Sequence, residues 1–255
     1  MTTALVTGGT SGIGAAFARA LAGRGDDLVL VARDAGRLAE MATELTAAHG
    51  VDVEVMSADL GDRDDVQRVA NRLASTEQPV DLLVNNAGFG VPYALTNADT
   101  TPHEHAIDVM IRAVLVLGGA AGRTMKARGG GTIINVSSTA GFVTMGGYSA
   151  IKAWVTVYSE GLANELRGTG VQVTALCPGW VRTEFHQRAD IKTSKIPDQL
   201  WLDAERLVSD CLTDVERHKV ISIPSKRYQA LILAARLAPR TAIRAVSRKL
   251  SSGRH

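Results

Sequence analysis

Tyr148 and Lys152 stand four positions apart in Tyr148-Ser149-Ala150-Ile151-Lys152, at the head of a stretch whose pattern predicts a helix from Tyr148 to Arg167. That spacing projects both side chains from one helix face. A free phenol titrates at about 10 and transfers protons poorly at neutral pH. A neighbouring ammonium favours the phenolate and draws the group towards the working range. Such a pair can give a proton to an oxygen or take one from it. A second chemical signal lies in Thr7-Gly8-Gly9-Thr10-Ser11-Gly12-Ile13-Gly14, ahead of an alanine-rich stretch. Gly8, Gly12 and Gly14 allow a tight turn and let bare backbone N–H groups approach a pyrophosphate, whose charge a helix N-terminus favours. The third signal is Val31-Ala32-Arg33-Asp34, after a second apolar run. Ala32 cannot repel a ribose 2′-phosphate, and Arg33 can form charge-assisted hydrogen bonds to one. The other reading of Arg33 is a solvated loop arginine, with Asp34 capping the next helix.

Alternating elements must hold these residues. Strand candidates are Ala4 to Val6, Leu28 to Val31, Val51 to Val55, Leu82 to Val84, Thr132 to Val136, Val171 to Leu176 and Val220 to Ile223. Most are continuously apolar, as in strands covered on both faces. Helix-length segments lie between them, including Ala15 to Arg24, Ala35 to His49 and Tyr148 to Arg167. Repeated strand–helix–strand units predict a doubly wound parallel α/β sheet with right-handed crossovers. The glycine cluster then falls at the first strand–helix junction, where nucleotide binding is its favoured reading. Its spacing is T-G-x-x-x-G-x-G rather than the common G-x-G-x-x-G.

That spacing resembles the short-chain dehydrogenase/reductase family, and three further segments agree. Asn85-Asn86-Ala87-Gly88 follows the fourth strand, Tyr148 to Lys152 matches Y-x-x-x-K, and Pro178-Gly179-Trp180-Val181-Arg182-Thr183 follows the sixth strand. The resemblance implies a Rossmann-type sheet of seven strands with helices on both faces and the active site at the strands' carboxyl ends. It implies a nicotinamide-dependent oxidoreductase that interconverts a carbonyl and an alcohol on a small molecule, and Ala32 with Arg33 favours NADP(H) over NAD as its cofactor. Hydride would come from the nicotinamide, Tyr148 would protonate the oxygen, and Lys152 would hold the nicotinamide ribose and, with the positive ring of the oxidised cofactor, lower the phenol's pKa. The second serine of Ser137-Ser138 would orient the carbonyl, so Ser138 is the choice, while turn or cap duty fits Ser137 better. Gly8, Thr10, Ser11, Gly12, Ile13 and Gly14 would cradle the cofactor, with Arg33 beside it. Asp59 and Leu60 would meet the adenine, although Asp59 also reads as a helix N-cap. Asn85, Ala87 and Gly88 would line the adenosine side. Pro178, Gly179, Val181 and Thr183 would face the nicotinamide, with Thr183 on its carboxamide.

Two departures from the family pattern stand out. Only nine residues separate Ser138 from Tyr148, so Gly141 to Gly147 must form a shortened loop. Met110, in Ile107-Asp108-Val109-Met110-Ile111-Arg112-Ala113, occupies the place of an asparagine that supports a water relay to the lysine in the family. A thioether cannot replace the amide's hydrogen bonds. Either the relay is rerouted, for instance through a backbone carbonyl, or a core methionine has replaced an inessential amide. These departures leave a second function class open, a non-catalytic NADP-binding sensor or membrane-surface scaffold.

At 255 residues and 45% apolar, the chain can bury a full core, which excludes disordered and staple-dependent classes. Cys177 and Cys211 are too few for a disulfide framework or a cysteine zinc site. His103, His105 and His218 have no partner at metal-site spacing, so no metal is expected. Met1-Thr2-Thr3 runs straight into a strand, and no apolar run reaches spanning length, so a cytoplasmic protein is expected. Substrate contacts fall on Phe89 to Tyr93 and on a lid from Glu184 to Leu202. Phe185, His186, Ile191, Ile196, Leu200 and Trp201 give that lid an apolar bias suited to a lipophilic ketone or aldehyde. The net charge of +2 divides into −8 for residues 1–216 and +10 for residues 217–255. Residues 1–225 read as the dinucleotide-binding and catalytic domain, and 226–255 as a basic amphipathic tail. Arg236, Arg240, Arg244 and Arg248 recur every four residues beside Ile232, Ile243, Val246 and Leu250, with Pro239 breaking the segment. The tail either lies on anionic membrane, placing the protein on the inner membrane face, or packs against the domain or an oligomer partner. A homo-dimer or tetramer is expected by family resemblance, and nucleic acid is not an expected partner.

Overall fold

The computed structural model describes residues 2–183 and 197–251, without the side chains of residue 246 and residues 248–251. Phe185, His186, Ile191, Ile196 and the side chains of Val246, Arg248 and Leu250 therefore lie outside the described residues. Six strands and six helices form the body up to the sixth strand: β1 (Thr3–Thr7), α1 (Gly12–Ala22), β2 (Asp27–Ala32), α2 (Ala35–His49), β3 (Val53–Ser57), α3 (Arg63–Leu73), β4 (Leu82–Asn85), α4 (Thr101–Ile107), α5 (Ala113–Arg128), β5 (Gly131–Val136), α6 (Gly147–Glu165) and β6 (Val171–Leu176). Then come β7 (Trp180–Val181), β8 (Trp201–Leu202), α7 (Ala204–Glu216), β9 (Ile221–Ser222), α8 (Lys226–Leu237) and α9 (Arg240–Ser251).

Seven strands make one parallel sheet in the order β3-β2-β1-β4-β5-β6-β9. The order reverses direction between β1 and β4, and a crevice for a ligand opens at the strand ends there. Continuously apolar strands are explained by two separate cores, because alternate residues point to opposite faces. Ala4, Val6, Leu28, Leu30, Val84 and Ile134 pack with α1, α2 and α7. Leu5, Val29, Val31, Leu83 and Ile133 pack with α3, α5 and α6.

Three sequence expectations need correction. The third strand starts at Val53 rather than Val51, and as the sheet edge it is not covered on both faces, with Val55 44% exposed. The seventh strand shrinks to Ile221 and Ser222, paired only with the last residues of β6. A short parallel pair, β7 with β8, was not foreseen; it joins Trp180 to Trp201 and Val181 to Leu202. The helical run Thr101–Arg128 is long and apolar enough to cross a membrane, but it packs between α3 and the sheet. Within it, Asp108–Arg112 form a π-turn centred on Met110.

Pro239 separates the two tail helices, and Tyr228, Ile232 and Ile243 are buried. The tail's inner face rests on the turn between β5 and α6, where Ser247 Oγ accepts a hydrogen bond from the Thr144 amide. The Arg236 guanidinium lies 5.0 Å over the Phe142 ring.

Candidate active site

Ser138, Tyr148 and Lys152 come together at the carboxyl end of β5. Ser138 is the first residue after Ser137 leaves the strand, and its extended backbone caps a one-turn helix at Thr139–Phe142. Its Oγ accepts from the Ala140 amide at 3.1 Å and also hydrogen-bonds the Tyr148 hydroxyl. Cap duty therefore belongs to Ser138, not to Ser137. Ser137 is fully buried and donates to the Lys152 carbonyl at 2.7 Å, tying strand to helix. The short loop closes because Gly141 lies against the α6 backbone, where a Cβ would come 2.9 Å from the Lys152 carbonyl and the Ala153 amide.

Tyr148 is half-buried as a residue, yet its hydroxyl is closely surrounded by protein. That desolvation pushes the phenol up to about 12, while the Ser138 hydrogen bond works the other way. Burial thus outweighs the lowering expected from the neighbouring ammonium. Lys152 is 5% exposed, and burial draws its ammonium down to about 8. Its Nζ lies 5.6 Å from the Tyr148 ring centre and donates to the Val136 carbonyl at 2.9 Å. Met110 is fully buried nearby. A Cβ on Gly88 would lie 3.0 Å from Met110 Sδ and 3.7 Å from Lys152 Nζ, so both groups crowd this glycine. The thioether offers the ammonium no acceptor of carbonyl strength, and the strand carbonyl of Val136 supplies one.

The glycine-rich turn leads from β1 into α1. Gly8 (φ +66°) and Gly12 (φ +53°) adopt left-handed backbone, where a side chain would be strained. Gly14 lies directly over the Gly8 carbonyl, leaving no room for a Cβ. Thr10, Ser11, Gly12 and Ile13 form a half-exposed rim above buried Gly14 to Ala18. Asn86 locks the turn by donating to the Thr7 and Gly8 carbonyls at 2.9 and 3.3 Å. Thr183 sits across the rim, 3.2 Å from where a Gly12 Cβ would be. Arg33 is exposed at the end of β2 and Asp34 caps α2 by accepting from the Arg37 amide. Arg37, missed in the sequence reading, reaches back to donate to the Thr10 carbonyl at 3.2 Å. Its signal was the Arg33-to-Arg37 spacing, which brackets the first turn of a helix leaving the cofactor edge. A backbone cradle with no room for side chains, beside two cations, fits a dinucleotide with an extra phosphate.

Other sequence candidates divide between the rim and the interior. Asp59 accepts from the Gly61 amide at 2.9 Å, and Asp62, not Asp59, caps α3. Leu60 and Val181 are buried core residues. The Asn85 side chain does not face the crevice: its Nδ2 donates to Asn135 Oδ1 at 2.9 Å, deep in the sheet. Ala87 and exposed Gly88 remain at the crevice edge. The Pro178 carbonyl accepts from the Thr139 amide at 2.9 Å, joining the β6 turn to the catalytic turn. Gly179 is required because the Tyr228 ring of α8 occupies the space of a Cβ. Tyr228 was also missed. Its hydroxyl accepts from the Trp180 amide at 3.1 Å and donates to the Leu200 carbonyl at 2.8 Å, joining the two ends of the segment expected to cover the substrate.

Around the mouth, Tyr93 and Leu95 are 48% and 68% exposed, whereas Phe89 stacks on His105 at 5.2 Å. His103 contacts the Ala94 carbonyl at 3.2 Å, and no metal-binding cluster exists among the described residues. Burial pushes the thiols of Cys177 and Cys211 up to about 11 and about 12, so neither is a nucleophile at neutral pH. A cavity of about 760 Å³ lies at the amino-terminal ends of the strands, lined by Thr3, Asp81, Gly131 and His218, away from Tyr148.

Comparison with known proteins places the chain among similar molecules. The family profile described as short chain dehydrogenase matches residues 2–193. An uncharacterised oxidoreductase of Staphylococcus saprophyticus is 39% identical over 190 residues, which cover 73% of this chain and 81% of that protein. A short-chain dehydrogenase from Sphingobium yanoikuyae, solved in complex with NADPH, superposes with a TM-score of 0.85 at 34% identity, over 92% of this chain and 94% of that one. The bulky-bulky ketone specific alcohol dehydrogenase from Comamonas testosteroni superposes with a TM-score of 0.80 at 32% identity, over 92% of each chain.

Proposed function

The chain belongs to the short-chain dehydrogenase family, and from that premise we propose that it uses NADP(H) to interconvert a carbonyl and an alcohol on a lipophilic substrate. The hydrogen bond between the Ser138 and Tyr148 hydroxyls, with the Lys152 ammonium 5.6 Å from the phenol ring centre, carries this reading. The cofactor preference is supported by Ala32 where a carboxylate would select NAD, and by Arg33 and Arg37 at the same edge. When bound, the nicotinamide supplies the hydride for the carbonyl carbon.

The chain's own residues do the rest. Ser138 Oγ holds the substrate oxygen against Tyr148. At neutral pH the buried phenol keeps its proton, which suits a donor to an oxygen gaining negative charge. Lys152 offsets the phenolate left behind, while the glycine rim would hold the cofactor's anionic part and Thr183 its carboxamide. In the alcohol-oxidising direction the same phenol must first lose its proton, which its high pKa disfavours. Exposed Leu95, beside Gly147 at the head of α6, supports an apolar, bulky substrate. The relative specific for bulky-bulky ketones agrees with that class.

NADPH consumption on a panel of bulky ketones and aldehydes, with Tyr148→Phe beside the wild type, tests the proposal. Tyr148→Phe should lose at least about 10²-fold in turnover while NADPH binding, read by fluorescence, persists. Equal, measurable turnover in both would refute the mechanism. The non-catalytic reading draws on Met110 beside Lys152; absent turnover across the panel with NADPH still bound would favour it.

A further inference from the structure

The outer face of α8 is apolar as well as its inner face. At 100° per residue, buried Tyr228 and Ile232 share one side with half-buried Ala235, and Ala230, Leu233, Ala234 and Leu237 share the opposite side. Leu233 and Leu237 are 60% and 79% exposed, and Leu231 on the flank is 54% exposed. An amphipathic surface helix turns one apolar stripe to its core, so this second, outward stripe of α8 has no cover among the described residues. Cations surround the crest: Lys226 and Arg227 begin the helix, Arg236 flanks it, and exposed Arg240 and Arg244 follow on α9. No carboxylate occurs anywhere in residues 217–255, against ten Lys and Arg.

We propose that the exposed crest of α8, with Arg240 and Arg244 of α9, is a docking surface for an anionic lipid bilayer. A bilayer surface matches both halves of this pattern, because acyl chains accept the leucines while anionic headgroups meet the cations. A protein partner matches less well. Interfaces of that kind are enriched in aromatic anchors, and the only tail aromatic, Tyr228, is turned inward. The crest is also small. A twelve-residue helix face is about 18 Å long and about 10 Å across, well short of the roughly 800 Å² per partner in a stable complex. The same helix holds Tyr228 and Arg236 against the segments flanking the active site, so a docked bilayer would lie beside its mouth.

Vesicle co-sedimentation of the full chain tests the surface without reference to its chemistry, which separates this proposal from the catalytic one. Partition onto phosphatidylglycerol-containing vesicles should exceed that onto pure phosphatidylcholine by at least about tenfold at low salt. The Leu233→Glu/Leu237→Glu variant should lose at least about tenfold of that binding, with its thermal unfolding unchanged. If that variant does not fold, Arg240→Glu/Arg244→Glu reads the electrostatic half, with a loss expected there too. Equal partition onto the two vesicle types, or unchanged partition in the folded variants, overturns the proposal. So does light scattering that shows the leucine variant falling from oligomer to monomer without any vesicle binding, which would assign the crest to a second copy.

Discussion

Tyr148 and Lys152 are tuned by the same packing in opposite senses. Burial holds the phenol neutral to about 12 and lets the ammonium keep its proton only to about 8. Reduction needs a protonated phenol and a charged lysine, so the lysine sets the upper pH limit. Carbonyl reduction should therefore fall as pH rises through about 8, and a pH–rate profile flat to pH 10 would remove the ammonium from the mechanism. Bound NADP(H) adds its own charges, and the profile of kcat/KM reports the free enzyme. At the other end of the crevice, Arg37 supports the glycine rim through the Thr10 carbonyl. Arg37→Ala should weaken NADPH about tenfold and NADH far less, as measured by fluorescence titration with both cofactors.

At the scale of elements, the tail helices act on the site from outside it. The catalytic turn at Thr139–Phe142 and the following loop are held by Arg236 over Phe142 and by Ser247 on Thr144. Tyr228 joins β7 to the turn before β8, with Arg227 adding a bond to the Gln199 carbonyl at 2.6 Å. Tyr228→Phe leaves a partly buried amide and carbonyl without this partner, and should cost about 1–3 kcal/mol in denaturant unfolding. Because those groups anchor the substrate segment rather than the cofactor rim, KM for the carbonyl substrate should rise while NADPH affinity holds. The π-turn at Met110 is held differently, by the Asp108–Arg112 ion pair at 2.9 Å and by Arg112 donating to the Gly61 carbonyl at 2.6 Å, while the lysine takes the Val136 carbonyl.

For the whole molecule, the division into a −8 body and a +10 end does not explain how the two stay together. Among the described residues, no ion pair joins α8 or α9 to the body. The tail is held by buried Tyr228, Ile232 and Ile243 and by hydrogen bonds, which salt screens little. Trypsin should therefore cut at the tail's arginines no faster at about 0.5 M salt than at about 0.05 M, where the screening length differs about threefold. Faster cleavage at high salt would show that bulk charge does the holding.

Sequence alone determined the doubly wound sheet, because buried parallel strands and amphipathic crossovers leave a local pattern in residue type. It also determined the Tyr148–Lys152 face, the glycine rim and the capping by Asp34, since each depends on neighbours within one turn. Tertiary structure decided what depends on residues far apart in the chain. It turned Asn85 inward to Asn135, gave Ser138 rather than Ser137 the cap, and raised Tyr148 by burial where the neighbouring ammonium alone suggested lowering. It also brought Tyr228, 48 residues away, onto Trp180. Burial and long-range hydrogen bonds are sums over the assembled fold, and no window of sequence contains them.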